Sequence, residues 1–498
     1  MIRRILVSVA LLVLALAVGP VPSARAATFT VSKTTDSADG ACNADCSLRE
    51  AIIAANAAAG ADTVIVPPGT YLLTLNMAGQ EDASAEGDLD ITDDVTLTGA
   101  GASTTVVDGN GSILEDHVFQ IKGPAKATIS GFTVRGGNAT FAGAGTRDDG
   151  GGIFVDDDPS DATLFLSDTF VTANHADDFA GGVDVDGIAT LTNVTIAGNT
   201  ADFGAGGLEV EGTATITNVT VSANRAGDEG GGIAMYGDSL TINNSTIIGN
   251  TADADNDDDG DGGGIFAGDP VVIRNTIIAA NTDASSPGTV HPDCSADPAD
   301  PTSQGHNLVQ VPGSCSFTAT GDLTGVSPNV APLADNGGPV ATHALQPGSP
   351  AIDAGDPAAP GSGGSACASA DARGLPRSDC DIGAYELVVC KGAVVNRLGT
   401  EGNDTLIGTT GPDGFLAFGG NDVVRGLGGK DTACLGPGKD VGAGGGGKDR
   451  LFGEGGKDRL KGQGGNDRLV GGPGKDTCVG GPGKKDRARQ CEVKKSVP

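Results

Sequence analysis

Along the middle of the chain, hydrophobic and polar residues alternate with a period of two, in short bursts that each open on a glycine pair. The pairs lead into Gly151-Gly152-Ile153, Gly181-Gly182-Val183, Gly206-Gly207-Leu208, Gly231-Gly232-Ile233 and Gly263-Gly264-Ile265. Val183 and Val185, Leu208 and Val210, and Ile233 and Met235 face one way, while Asp184, Asp186, Glu209 and Glu211 face the other, as in half-buried strands. The pairs lie 30, 25, 25 and 32 residues apart, so a unit of 25 residues recurs with occasional insertions, each holding two or three short strands.

A second pattern keeps step with the first. Asp168, Asn193, Asn218, Asn244 and Asn275 precede β-branched residues, and Asn174, Asn199, Asn224, Asn250 and Asn281 follow six residues later, both series spaced by 25, 25, 26 and 31. Stacked asparagines bond from rung to rung and satisfy polar groups at a buried corner. The two patterns predict a right-handed parallel β-helix over residues 61–345, with rungs ~4.8 Å apart. Such a solenoid needs caps at its open ends. Ser47-Leu48-Arg49-Glu50 is a capping box ahead of an alanine-rich stretch closed by Gly60, which predicts a short helix over the first rung. Residues 62–66 and 71–75, split by Pro67-Pro68-Gly69, are its first strands.

Composition agrees with thin, repetitive cores: of 498 residues 82 are glycine, aromatic content is 3% and there is no tryptophan. The formal charge of -33 is uneven. From Lys391 onward there are 18 Lys+Arg and 13 Asp+Glu, a balance of +5, so residues 1–390 carry -38. That surface repels nucleic acid and anionic membranes and attracts divalent cations, and an acidic polysaccharide would need a cation bridge. Arg3 and Arg4, the apolar run 5–18, Gly19-Pro20 and Ala24-Arg25-Ala26 predict a secretory signal cleaved after Ala26, with no transmembrane segment after it. Ten cysteines fit an oxidising compartment, and sequence neighbours suggest the pairs Cys42/Cys46, Cys294/Cys315, Cys367/Cys380 and Cys478/Cys491, leaving Cys390 and Cys434.

The tail changes the picture most. Asp404, Asp413, Asp422, Asp431, Asp440, Asp449, Asp458, Asp467 and Asp476 recur every nine residues, each with glycine two residues before it. Residues 399–479 read as nine nonads, and a tenth carries a one-residue insertion that shifts Asp486. A carboxylate in step with tight turns builds a stack of cation sites, and two nonads per coil set each aspartate against the one 18 residues on, seven such pairs at most. Oxygen ligands from pliable turns suit Ca²⁺ better than Mg²⁺. Facing carboxylates repel without a cation, so binding and folding should be coupled. Ala433 and Gly442 interrupt the apolar positions, and Lys430, Lys439, Lys448, Lys457 and Lys475 precede their aspartates, so the strongest sites are expected from Asp449 to Asp476.

The nonads resemble the RTX, or haemolysin-type, calcium-binding repeat GGxGxDxUx. Cys46-Ser47-Leu48-Arg49-Glu50-Ala51 resembles the "CSLREA" segment of bacterial secreted β-helix proteins. The stretches 333–338, 342–345, 349–355, 371–377 and 381–386 resemble the "choice-of-anchor Q" ending of the same proteins. These resemblances imply an extracellular β-helix followed by a calcium-binding parallel β-roll.

Two further groups invite chemistry. Asp255-Asn256-Asp257-Asp258-Asp259-Gly260 matches the first half of an EF-hand loop but has Phe266 at the twelfth position, so Asp255, Asp257 and Asp259 make a weak metal loop beside the plainer reading of a solvated acidic turn. Asp156, Asp186, Glu211 and Tyr236 stack on the outer face, with Asp184 beside Glu209, a spacing near the ~5 to 5.5 Å of a retaining glycosidase pair. No Arg or Lys falls in these aligned positions, His175 is the lone histidine of the repeats, and aromatic platforms are scarce, so a solvated acidic face is the expectation.

The chain is thus expected to be all-β: signal peptide 1–26, N-terminal strand and capping helix 27–60, β-helix 61–345, cap 346–390, calcium-binding roll 391–489 and basic tail 490–498. The function expected is that of a secreted or cell-surface calcium-binding protein with a structural or adhesive β-helix. A polysaccharide lyase, epimerase or hydrolase is the alternative.

Overall fold

The computed structural model describes residues 26–75, 83–111, 115–140, 149–256, 260–285, 290–377, 379–483 and 485–497. The signal segment, apart from Ala26, and Asp257 and Asp259 of the weak loop lie outside the described residues. One coil of the β-helix runs through Ile153–Val155, Thr163–Ser167, Phe170–Thr172 and His175–Ala176 before the next begins at Val183. These four positions stack into parallel sheets of eight, ten, ten and six strands, here the first to fourth sheets, in the right-handed parallel β-helix that the alternation predicts. Ile153, Val183, Leu208 and Ile233 stand in register with no exposure, as do Val155, Val185, Val210 and Met235. Each rung therefore adds the same apolar layer, filled mostly by aliphatic side chains, with Phe119 taking the same column one rung before Ile153.

The two asparagine series do different work. Asn199 Nδ2 and backbone N–H both donate to Asn224 Oδ1 at 3.0 Å, and Asn224 repeats this toward Asn250. Each Nδ2 also donates to a carbonyl, Val171 for Asn199 and Ile196 for Asn224, so this inner ladder is satisfied on both sides, and at its far end Asn281 donates to Asp293 Oδ1. The other series sits at left-handed corners, φ 45 to 56°, between the second and third sheets. It docks the segment 328–387, expected from 346 on as an end cap, which lies along the outer face of the third sheet. Asn218 donates to Ala370 O, Asn275 donates to Ser365 O, and Arg377 reaches Asn218 Oδ1 at 3.3 Å.

The N-terminal cap forms as the capping box predicts. The helix Leu48–Ala57 starts at Ser47, whose hydroxyl accepts from Glu50 N–H while Glu50 accepts from Ser47 N–H. Arg49 is buried, pairs with Asp36 at 2.8 Å and donates to the carbonyls of Ser84, Glu86, Gly87 and Asp88, which ties the helix to the first turns.

The tail is a β-roll of two parallel sheets. Gly414–Leu416, Thr432–Cys434, Arg450–Phe452 and Arg468–Val470 lie in one, and Thr405–Ile407, Val423–Arg425, Val441–Gly447 and Arg459–Gly465 in the other. Phe415, Val424, Leu451, Leu460 and Leu469 form the thin core between them. The apolar gap expected at Ala433 and Gly442 is closed, because Leu435, Leu451 and Leu460 approach the space beside Gly442. The roll also extends past residue 489, since Val493–Lys495 pairs with Thr477–Val479. Five disulfides form: the four neighbour pairs and Cys390–Cys434, which ties the start of the roll to its fourth nonad. No described helix is long and apolar enough to cross a membrane.

Candidate metal centre in the nonapeptide roll

The nine-residue period puts alternate aspartates on opposite sides of the roll, each at the turn entering its strand. Two nonads complete a coil, so Asp404, Asp422, Asp440, Asp458 and Asp476 line one side and Asp413, Asp431, Asp449 and Asp467 the other. Contacts follow the 18-residue step. The backbone N–H of Asp404 donates to Asp422 Oδ1 at 2.8 Å, Asp413 to Asp431 at 2.9 Å, Asp431 to Asp449 at 3.0 Å and Asp449 to Asp467 at 3.0 Å. Asp422, Asp440 and Asp458 do the same toward Asp440, Asp458 and Asp476. Asp486, displaced by the insertion, is brought back into line, and Asp467 N–H donates to its Oδ1 at 2.9 Å. It is a site residue that counting in nines misses; the signal is the doubled lysine, Lys484-Lys485, between the glycine-rich turn and the aspartate.

The second oxygen of each carboxylate divides the roll. In the first two turns it is occupied, Asp404 Oδ2 by the N–H and hydroxyl of Thr400 and Asp413 Oδ2 by those of Thr409. From Asp422 through Asp431, Asp440, Asp449, Asp458, Asp467, Asp476 and Asp486, Oδ2 is buried with no partner. Such an atom costs on the order of 1–3 kcal/mol or more when left unsatisfied, and eight in one small roll are a demand for a cation. The turns are built for close approach: Gly456 (φ +135°) and Gly465 (φ +133°) sit where a Cβ would fall 1.6 and 1.4 Å from the carbonyl oxygen of the glycine 18 residues earlier. Only glycine fits there.

Burial pushes Asp431, Asp440, Asp449 and Asp458 up to about 6, with neighbouring aspartates adding to the shift and the backbone N–H bond opposing it. Asp422 and Asp467 are raised by the same causes. Lys430, Lys448 and Lys485 are exposed and, with Arg450, Arg468, Arg487, Asn466 and the ladder residues Asp449 and Asp467, line a groove of about 640 Å³ in which the cationic groups outnumber the acidic ones. The residues present fit an oxygen-ligated hard cation: carboxylate oxygens without partners beside turn carbonyls, and no nitrogen or sulfur ligand among them.

The other candidate groups fare differently. Asp255 is exposed on a surface groove with His175, Asp202 and Arg225. Of the acidic face expected to be solvated, Glu211 is exposed and Asp186 half-buried, while Asp156 is buried and Asp184 and Glu209 are 3% and 2% exposed, because the loops entering the first sheet cross over that pair, Gly150 above Phe154 and Asp184 and Gly204 near Glu209. The expectation of no aligned base is also corrected, since Lys122, one rung from Asp156, contacts it at 3.4 Å. His175 is not simply solvated either; it bonds Thr200 and Asp177 and stands in line with Arg225 two rungs on. Asp261, Asp283 and His291 bring ligand atoms within 4.8 Å of one another, a cluster that scattered sequence positions gave no sign of.

Comparison with known proteins bears on the tail most directly. Residues 398–433, 436–469 and 452–484 match the family model of the RTX calcium-binding nonapeptide repeat. Among solved structures, pectate lyase Pel9A is similar at 14% identity and a TM-score of 0.42, over 73% of this chain and 97% of that one. No curated protein matches the chain.

Proposed function

We propose that this is an exported protein whose β-roll is completed by calcium, bound through Asp422, Asp431, Asp440, Asp449, Asp458, Asp467, Asp476 and Asp486. The observation that carries this is the row of buried Oδ2 atoms without partners. Asp404 and Asp413, included in the sequence expectation, are assigned to closing the first turns with Thr400 and Thr409 instead. Calcium supplies the positive charge that lets stacked carboxylates remain ionised, and the chain supplies the register. Typical extracellular affinities of ~10⁻⁴ to 10⁻³ M would leave the roll open in a low-calcium cytosol and ordered outside. Five disulfides and the likeness of residues 46–51 and 333–386 to secreted β-helix proteins support export. Calorimetry of the full chain should show several calcium ions bound, with a gain of β circular dichroism reversed by chelator; no calcium uptake sinks the reading.

The roll's basic groove favours an anionic cell-envelope or extracellular polysaccharide as partner, which makes the β-helix the part displayed. Arg450, Arg468 and Arg487 stand in register on successive rungs, a ladder of charge matched to a linear polyanion. Retention on an acidic glycan array, lost in Arg450→Gln/Arg468→Gln/Arg487→Gln with calcium uptake intact, tests this. The lyase, epimerase or hydrolase reading gains nothing from Asp184 and Glu209, which lie beneath their loops where a polymer does not reach.

A further inference from the structure

The outer column of the first sheet reads Phe154, Asp184, Glu209, Ala234 and Phe266 on successive in-register rungs. Between Phe154 on one side and Ala234 and Phe266 on the other stand two carboxylates side by side; beyond Phe154 the column runs on to Gln120 and Asp90, and beyond Phe266 to Ser295. Both are more than nine-tenths buried, and Asp184 Oδ1 and Glu209 Oε2 have no hydrogen-bond partner. Their rungs are ~4.8 Å apart. The charged groups acting most on the pair, Asp149, Asp178, Asp186 and Glu211, are all acidic. Two unsolvated like charges at this distance are strongly unfavourable, and burial, with the surrounding carboxylates adding to it, drives both carboxyls well above the usual range. An isolated acid at a buried position is a packing accident; a facing pair, each with an oxygen aimed at no donor, is a ligand set.

We propose that Asp184 and Glu209 hold a divalent cation of the calcium class in the β-helix, separately from the roll. The two carboxylates supply the anionic oxygens, Asp186 and Glu211 stand at the next outward-facing positions of the same two rungs, and water completes the shell that an oxygen-seeking cation takes. The cation fastens adjacent rungs beneath the loops that carry Gly150 and Gly204.

Tyrosine placement gives a selective probe. The chain has three tyrosines and none beyond Tyr385, so the roll contains none. Tyr236 stands one rung above Glu211, feels the Glu209 charge, and bonds Glu229 at 3.4 Å. Terbium added to the full chain as a calcium substitute should give tyrosine-sensitised emission that calcium displaces. Tyr236→Phe should remove most of that emission without changing the total calcium bound in equilibrium dialysis. Asp184→Asn/Glu209→Gln should remove the emission and lower bound calcium by one, with the remaining roll uptake unchanged. The proposal is overturned if the wild-type protein gives no Tyr236-dependent emission, if the double variant keeps it, or if the double variant binds the same calcium. A rise in thermal midpoint in the double variant that is indifferent to calcium would mean that the pair holds protons instead, and also overturns it.

Discussion

The β-helix and the roll solve one geometric problem with two side chains that differ by a single group. Both stack similar turns in parallel register and repeat a short polar residue at a fixed corner, once per coil in the inner ladder of the β-helix and once per nonad, twice per coil, in the roll. In the β-helix that residue is asparagine, whose amide accepts from one neighbouring rung and donates to a carbonyl, so Asn199, Asn224 and Asn250 close on themselves. In the roll it is aspartate, which accepts one backbone N–H through Oδ1 and leaves Oδ2 over. The amide ladder is satisfied from rung to rung and ends where Asn281 donates to Asp293 Oδ1 at 2.9 Å. The carboxylate ladder is half complete, and on the proposed reading the missing half is where calcium completes the turns of the roll.

The largest effect should come from removing that ion. With chelator the full chain should lose the roll's share of strand signal, and limited proteolysis should cut within 399–489 while the coils between 151 and 281 stay resistant. Equal protection of both regions without calcium would erase the contrast. Next in size is a carboxylate placed in the amide ladder: Asn224→Asp puts a charge at a position with no exposure and removes the donor to Ile196 O. Leaving an uncompensated buried charge costs ~3–5 kcal/mol, read as a lower denaturant midpoint of the β-helix transition. Rescue of that variant by calcium would mean that the β-helix corner also accepts a cation, and would erase the difference between the two ladders.

A middle case carries its cations within the chain. In the docked segment, Glu386 accepts from Arg377 at 3.1 Å and Asp371 pairs with Arg373 at 2.7 Å. Burial still pushes Glu386 up to about 7 and Asp381 up to about 6, the arginine only partly offsetting it. Because these folded values lie above the ordinary ones, the contribution to stability is full below about pH 4 and is lost as pH rises through 6 to 7. Amide exchange of 381–387, corrected for its intrinsic pH dependence, should therefore be more protected at pH 5 than at pH 8, and Glu386→Gln should flatten most of the difference.

Much of this was legible before the structure. Alternation and fixed intervals gave both solenoids, because a stacked fold writes its period into the chain. The capping box at Ser47 and Glu50 gave the helix, since both partners are local. What stayed hidden depends on contacts between distant segments. Nothing near Asp184 in sequence tells that a glycine-bearing loop will cover it, and nothing at Thr400 tells that its hydroxyl will occupy the oxygen that later turns leave over. The closure at Gly442 was missed for the same reason, as its neighbours Leu435, Leu451 and Leu460 come from other strands. The two asparagine series looked equivalent because spacing does not record which side of a corner a side chain takes.

The smallest expected effect is the most pointed test of the contrast, because it makes one turn of the roll resemble the β-helix. In Asp449→Asn the amide oxygen can still accept Asp431 N–H, now bonded to Asp449 Oδ1 at 3.0 Å, while an NH₂ group takes the place of the buried Oδ2. The variant loses a calcium ligand and also the repulsion between Asp449 and its neighbours Asp431 and Asp467, which act on it as like charges. Calorimetry of the full chain should show weaker calcium uptake with about one site fewer, while circular dichroism without calcium should be no lower than in the parent. Unchanged uptake would remove Asp449 from the ligand set. A further loss of calcium-free structure would mean that the charge on Oδ1, rather than the cation that Oδ2 awaits, holds the turn together.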